Sequence, residues 1–109
     1  MWRVRDRATF QALARAPRHR VGPVSLRFSN SGATNPPRVA YAVGRRVGSA
    51  VDRNRVRRRL RAAVSVCGDE LVEGGAYLFE AERSVLTLGF TELCSFVGAS
   101  IRGARDGRA

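Results

Sequence analysis

The 109-residue sequence contains no lysine, one histidine, two cysteines and nine acidic residues. Each shortage excludes something. A lone His19, with no Ser/His/Asp or Cys/His arrangement to join, leaves no candidate for catalysis by protein side chains. Cys67 and Cys94 are too far apart for a CxxC motif, and a zinc site needs about four ligands at recognisable spacing, so no metal site is expected. Both cysteines sit at apolar helical positions and read as free core thiols. No run approaches the roughly 18 apolar residues of a membrane span. The N-terminal "MWRVRDRATF" has positive charge without the apolar stretch of a secretory signal, so a cytoplasmic protein with no membrane partner is expected. No internal repeat is visible.

What the chain does have is arginine. All 20 basic residues are arginine and the formal net charge is +11. The charge is uneven: residues 1–67 carry +14 and residues 68–109 carry −3. A basic half joined to a mildly acidic half points to a polyanion met through one face. An anionic membrane surface fits less well, because the arginine-rich segment lacks a bulky apolar face to insert. Arginine forks two donors toward one phosphate and stacks on bases, which suits nucleic acid. The length and the 44% hydrophobic content predict one folded domain spanning residues 1–109, not a disordered basic tail.

"RDRATFQALARA" places Phe10, Leu13 and Ala14 at helical spacing behind Asp6 as N-cap. "PRHRVGP" breaks that helix and reads as a polar loop, with His19 an exposed side chain or an RNA contact. "VSLRFS" alternates Val24, Leu26 and Phe28 against Ser25, Arg27 and Ser29, and "RVAYAV" alternates again through Val39, Tyr41 and Val43. These two strands are expected to pair antiparallel across the turn "NSGATNPP". Residues Arg45–Val47 either extend the sheet or begin the loop to the next helix. "AYLFEA" gives a further strand. A last amphipathic helix runs through Leu86, Phe90, Leu93, Val97 and Ile101, with Gly103 placed to end it. The class is α+β, a small sheet packed with helices in the order α-β-β-(β)-α-β-α.

Between the second strand and the third stands "GRRVGSAVDRNRVRRRLR", Gly44–Arg61, in which eight of eighteen residues are arginine. Ser49 reads as an N-cap with Asp52 three residues on, and the helix runs to about Cys67. Val56, Leu60, Ala63, Val64 and Cys67 form one apolar stripe. At about 100° per residue, Asn54, Arg57, Arg58 and Arg61 occupy the opposite side, which is expected to be close to purely cationic. A face kept only for solubility would mix signs, since like charges at i±3 and i±4 repel by a few tenths of a kcal/mol per pair. The pattern fits a rod of guanidiniums lying along phosphates, with affinity from counterion release. Asn54 adds an amide able to meet a base edge, a ribose hydroxyl or the backbone.

The segment "RVAYAVGRRVGSAVDRNRVRRRLR" resembles the signature of the bacterial ribonuclease P protein subunit: a strand, a basic V-G-x-A-V turn, and an R-N-R helix followed by further basic residues. The early F-Q-x-L helix and the late strand follow in the expected order. The resemblance implies the fold of the second domain of a small-subunit ribosomal protein, with an unusual left-handed β-α-β crossover. It implies a protein that accompanies a catalytic RNA in cutting the 5′ leader from precursor tRNA by metal-assisted hydrolysis. The RNA performs the chemistry, Mg²⁺ is held mainly by RNA and substrate, and no protein-bound cofactor or obligate protein partner is implied. Carried over by position, Arg53, Asn54, Arg55, Arg57, Arg58 and Arg61 face the catalytic RNA. Arg45 and Arg46 lie near the leader path, and Phe10 and Phe28 match aromatic positions of the leader cleft. Core packing is the other reading of both rings, and Tyr41 is a weaker cleft candidate. Ala14 stands where the family often has a second cleft aromatic, Gly44 replaces a common Ser, Ser49 a common Asn, and Asp52 adds an acid beside R-N-R. The alternatives are a ribosomal or other structural RNA-binding protein, and a DNA-binding module; against the latter, only Asn54 alternates with the arginines as a base reader.

Overall fold

In a computed structural model, which describes residues 2–30 and 34–106, five strands form one sheet with helices on both faces. The elements in chain order are β1 Trp2–Arg3, α1 Arg7–Arg15, β2 Arg18–Val21, β3 Val24–Asn30, β4 Arg38–Ala42, α2 Ala50–Val66, β5 Gly75–Ala81 and α3 Phe90–Asp106. Short 3-10 turns occupy Arg45–Val47, Gly68–Glu70 and Arg83–Leu86. The strand order is β1-β4-β5-β3-β2. β1 runs parallel to β4 and β4 parallel to β5, so α2 is the crossover between parallel neighbours; β3 is antiparallel to both β5 and β2.

Period-2 alternation sorts the strand side chains between two cores. Val24, Leu26, Val39, Tyr77 and Phe79 face α2 and α3, where they meet Val56, Leu60, Val64, Leu93, Val97 and Ile101 in the main core. Ala40, Ala76 and Leu78 point the other way and pack with Val4 and Leu13 beneath α1. Helix α1 is short, and Leu13 is its only buried residue. Asp6 starts it as expected, accepting from the Thr9 N–H at 2.9 Å and the Thr9 hydroxyl at 2.6 Å. Arg27 finishes it, donating to the Ala14 and Ala16 carbonyls at 3.2 and 2.9 Å.

Several expectations need correction. The β3 and β4 strands are not paired; β5 lies between them. A hairpin was the local solution, but β5, apolar on both faces through Ala76 to Phe79, takes the sheet centre and needs a partner on each side. The segment read as a polar loop contains β2, an edge strand whose Arg18, His19 and Arg20 give no apolar alternation. It turns into β3 through Gly22 and Pro23. Gly22 has φ 60°, and a side chain there would strike the Phe96 ring. β1 is too short to show any period. Of the two readings of Arg45–Val47, the second holds: it is a 3-10 turn in the connection to α2. Leu86 belongs to a 3-10 turn before α3, and α3 runs past Gly103 to Asp106 because buried Ala104 holds its last turn down. Cys67 and Cys94 are free and half-buried beside the main core, with the Cys67 Sγ 3.7 Å from the Cys94 carbonyl oxygen. Burial pushes the Cys67 thiol above its usual range.

The entry to α2 is pinned from outside the helix. Ser49 accepts from the Asp52 N–H at 3.2 Å as the N-cap. Arg83 Nη1 donates to the Val47 carbonyl at 2.8 Å and to the Asp52 carboxylate at 2.7 Å, tying the turn, the helix and the segment after β5 together. Gly48 has φ 140°, and a Cβ there would lie 2.5 Å from Arg83 Nη1. The Arg83 bond, aided by the charge of that guanidinium and by Ser49, holds Asp52 below the usual carboxylate range.

Two expected outcomes follow from this packing. Leu60→Ala, fully buried between α2 and the sheet, should lower stability by about 2–5 kcal/mol in urea or thermal unfolding. Asp52 has a depressed folded-state pKa, so its contribution is present above the unfolded value of about 3.9 and is lost as pH falls through the folded value. Melting temperature against pH should therefore drop less steeply on the acid side for Asp52→Asn than for the parent, and identical acid limbs would refute the pinning.

Candidate nucleic-acid interface

Helix α2 buries Val56, Leu60, Ala63 and Val64, which leaves its other sides to arginine. Asn54, Arg55, Arg58 and Arg61 are exposed, and Arg57 and Arg59 are half-buried on the two flanks. Arg57 donates to the Asn54 side-chain oxygen at 2.8 Å, which fixes the amide with its N–H₂ free to donate outward. Arg59 donates to the Val85 carbonyl at 2.5 Å. With Arg55, Arg58 and Leu86 it lines a hollow of about 310 Å³. Arg53 is half-buried, and its Nε is sealed off without a partner. The outer face is less uniformly cationic than the spacing predicts, because Val51 and Val66 are also exposed there.

No α2 arginine has a carboxylate within ion-pair distance among the described residues. The acids pair elsewhere: Asp6 with Arg38 at 2.9 Å, Asp52 with Arg83 at 2.7 Å, and Glu70 with Arg102 at 2.9 Å. Glu80 meets Arg18 at 3.4 Å and Arg27 at 4.0 Å, and Glu82 meets Arg20. Asp52 is the only acid on α2, and Arg83 neutralises it from outside the helix. An acid beside R-N-R therefore takes nothing from the cationic face.

A groove of about 980 Å³ opens at the edge of the sheet where β1 leaves β4. Three aromatic rings line it: Trp2, Phe10 and Tyr41. Four arginines, Arg3, Arg5, Arg57 and Arg61, line it too, and no acid does. Trp2 and Phe10 are 54% and 42% exposed, so neither is spent on the core. Tyr41 is half-buried, stacked on Phe79 at 6.0 Å between centroids, with the Arg61 guanidinium 5.5 Å above its ring. Its hydroxyl is buried without a protein partner, and burial pushes its pKa up, so it remains a proton donor.

The structure thus gathers Phe10, Arg57 and Arg61 in one groove and sets Arg55 and Arg58 on the adjoining outer face. Arg45 and Arg46 are exposed on the 3-10 turn that leads into α2, outside that groove. Phe28 is not brought to Phe10. Strand alternation puts it with Val24 and Leu26 on the α2/α3 face, its ring 5.0 Å from that of Tyr77, so of the two readings of this residue core packing describes its placement. Trp2, Arg3, Arg5 and Arg59 were not among the candidates. The available signal was the interleaving of Trp2 with Arg3 and Arg5, a basic stretch carrying a flat ring.

Comparison with known proteins agrees with this geometry. The family model for ribonuclease P matches residues 1–104. The ribonuclease P protein component of Bartonella quintana is 37% identical over 108 residues, covering 92% of this chain and 80% of that protein. That of Symbiobacterium thermophilum is 34% identical over 95 residues, covering 84% and 81%. Among solved structures, the ribonuclease P protein of Staphylococcus aureus superposes with a TM-score of 0.77 over 96% of each chain at 16% identity. That of Thermotoga maritima gives 0.79 over 99% of this chain and 100% of its own, at 15% identity. Sequence relatives, fold and an arginine-faced crossover helix converge, and the chain belongs to the ribonuclease P protein family.

Proposed function

We propose that this chain, acting as one RNA-binding domain over residues 1–109, is the protein subunit of a ribonuclease P ribonucleoprotein that removes the 5′ leader from precursor tRNA. The observation that supports it most is the segregation of charge: six of the nine acids pair with arginines outside α2, and among the described residues no α2 arginine has a carboxylate partner. Arg55, Arg58 and Arg61, with Asn54 between them, lie along phosphates of the catalytic RNA, and release of condensed counterions drives assembly. Arg57 and Arg59 support that face from its flanks, and Arg53 takes part from the start of the helix. Phe10 supplies a ring for an unpaired leader base, with Arg45 and Arg46 placed along the leader phosphates. Phe28 packs against the main core on the α2/α3 face, beside Tyr77.

The chemistry belongs to the RNA subunit. Among the described residues no three His, Cys, Asp or Glu side chains cluster, and Mg²⁺ commonly keeps its waters and leans on phosphate oxygens rather than on a protein cage. The ion in this reading sits on RNA and substrate phosphates, which the arginines help bring together. No helix among the described residues is long and apolar enough to cross a membrane, and a cytoplasmic location accords with a tRNA substrate. No further protein partner is required.

Purified protein with Mg²⁺ and precursor tRNA should give no cleavage, and addition of the RNA subunit should produce a specific cut at the mature 5′ end. Specific cutting by the protein alone would sink the assignment of chemistry to RNA. The α2 contact has its own test in salt titrations of assembly. Arg58→Ala should weaken binding of the RNA subunit and flatten log affinity against log salt by about one phosphate contact. Arg102→Ala, which only removes the partner of Glu70, should do far less. Equal effects of the two would mean that diffuse charge carries the binding.

A further inference from the structure

We infer that Trp2 is a second stacking residue for the precursor tRNA leader, completing with Phe10 an aromatic pair at the mouth of the groove beside β4. The inference deepens the leader reading above and rests on it.

Trp2 is the only tryptophan in the chain and one of its most exposed apolar side chains. The ring is left largely in solvent, yet its backbone is fixed at several points. The Trp2 N–H donates to the Pro37 carbonyl at 2.8 Å and the Val4 N–H to the Val39 carbonyl at 3.2 Å. Val4 is buried under α1, and the Asp6 carboxylate that caps α1 also accepts from Arg38 at 2.9 Å. The two-residue strand β1 therefore holds Trp2 in place over the groove.

The groove's chemistry names its occupant. Flat rings with free faces, surrounded by guanidiniums and no carboxylate, suit a chain of bases and phosphates. A double helix would meet a charged surface and leave the rings unused, since its bases are already stacked. An apolar peptide would bury four unpaired cations, which is costly. An unpaired RNA strand uses both features, its bases on Trp2 and Phe10 and its phosphates on Arg3 and Arg5. Arg57 and Arg61 also border the α2 face assigned to the catalytic RNA, so a strand in the groove lies next to the RNA that cuts it.

The test uses the reconstituted holoenzyme and precursor tRNAs of increasing leader length, with mature tRNA as the zero-length member. Tryptophan emission from Trp2 should be quenched by precursors whose leader reaches the groove and unchanged by mature tRNA. Trp2→Ala should weaken binding of those precursors roughly 5- to 150-fold, the equivalent of one lost base stack, and leave mature tRNA binding unchanged. Trp2→Phe should recover much of the loss. Thermal melting of Trp2→Ala should match the parent, because the ring is more than half exposed. A deficit that is the same at every leader length would place the ring on the catalytic RNA or the tRNA body and overturn the inference. So would leader preference that survives Trp2→Ala but is lost in Phe10→Ala, an outcome that leaves the leader reading standing. If the parent holoenzyme shows no leader preference at all, the leader reading fails and the inference with it.

Discussion

Repulsion among the guanidiniums of α2 is the constraint around which the rest of this fold is arranged. Arg53, Arg57 and Arg61 follow one another at i+4, as do Arg55 and Arg59, and Arg58 lies three residues from both Arg55 and Arg61. Each such pair costs a few tenths of a kcal/mol in an isolated helix, with no acid on the same helix to offset it apart from the outward-turned Asp52. What outweighs the cost is burial. Val56, Leu60 and Val64 are fully buried, at about 1.5–3 kcal/mol each, so the inner stripe exceeds the outer repulsion severalfold. Helix α2 is thus held by tertiary packing against the sheet and α3, not by its own charge pattern.

The placement of the acids follows from the same constraint. Surface ion pairs contribute only about 0–1 kcal/mol each, so the pairs of Asp6, Glu70 and Glu82 add little to stability. Their consequence is a field. Each neutralises an arginine away from α2, and the uncancelled positive charge is concentrated on α2, on the Arg45–Arg46 turn before it and on the N-terminal segment. A surface so arranged binds polyanions in proportion to its unpaired cations. By linkage, whatever anion occupies it stabilises the folded chain.

Local features were legible in the sequence wherever one residue decides them. Asp6 and Ser49 cap the helices that their positions promised, and the Val56–Val64 stripe is buried as its spacing required. Less legible was everything decided by pairing between distant segments. Nothing local says that β5 inserts between β3 and β4, and the two-residue β1 and the polar edge strand β2 carry no period to detect. The arginine face was readable because helical periodicity acts within one element. The groove was not, because its walls come from the N-terminal segment, α1, β4 and α2, which only the sheet order brings together.

The two phenylalanines show where that limit falls. Phe10 and Phe28 carry the same ring and the same resemblance to cleft positions, and single-element reasoning cannot separate them. The sheet separates them. Phe28 shares the pleat of Val24 and Leu26 and is drawn under α2 and α3, while Phe10 rides on a helix short enough to bury Leu13 alone. A helix with one anchoring residue can hold its remaining face to solvent at little cost. Phe10 is exposed for that reason, and the same thin second core leaves room for the N-terminal strand to reach β4. The groove beside β4 is in this sense a product of asymmetry: one sheet face closed by two long amphipathic helices, the other only partly covered, with the arginines of α2 at the boundary between them.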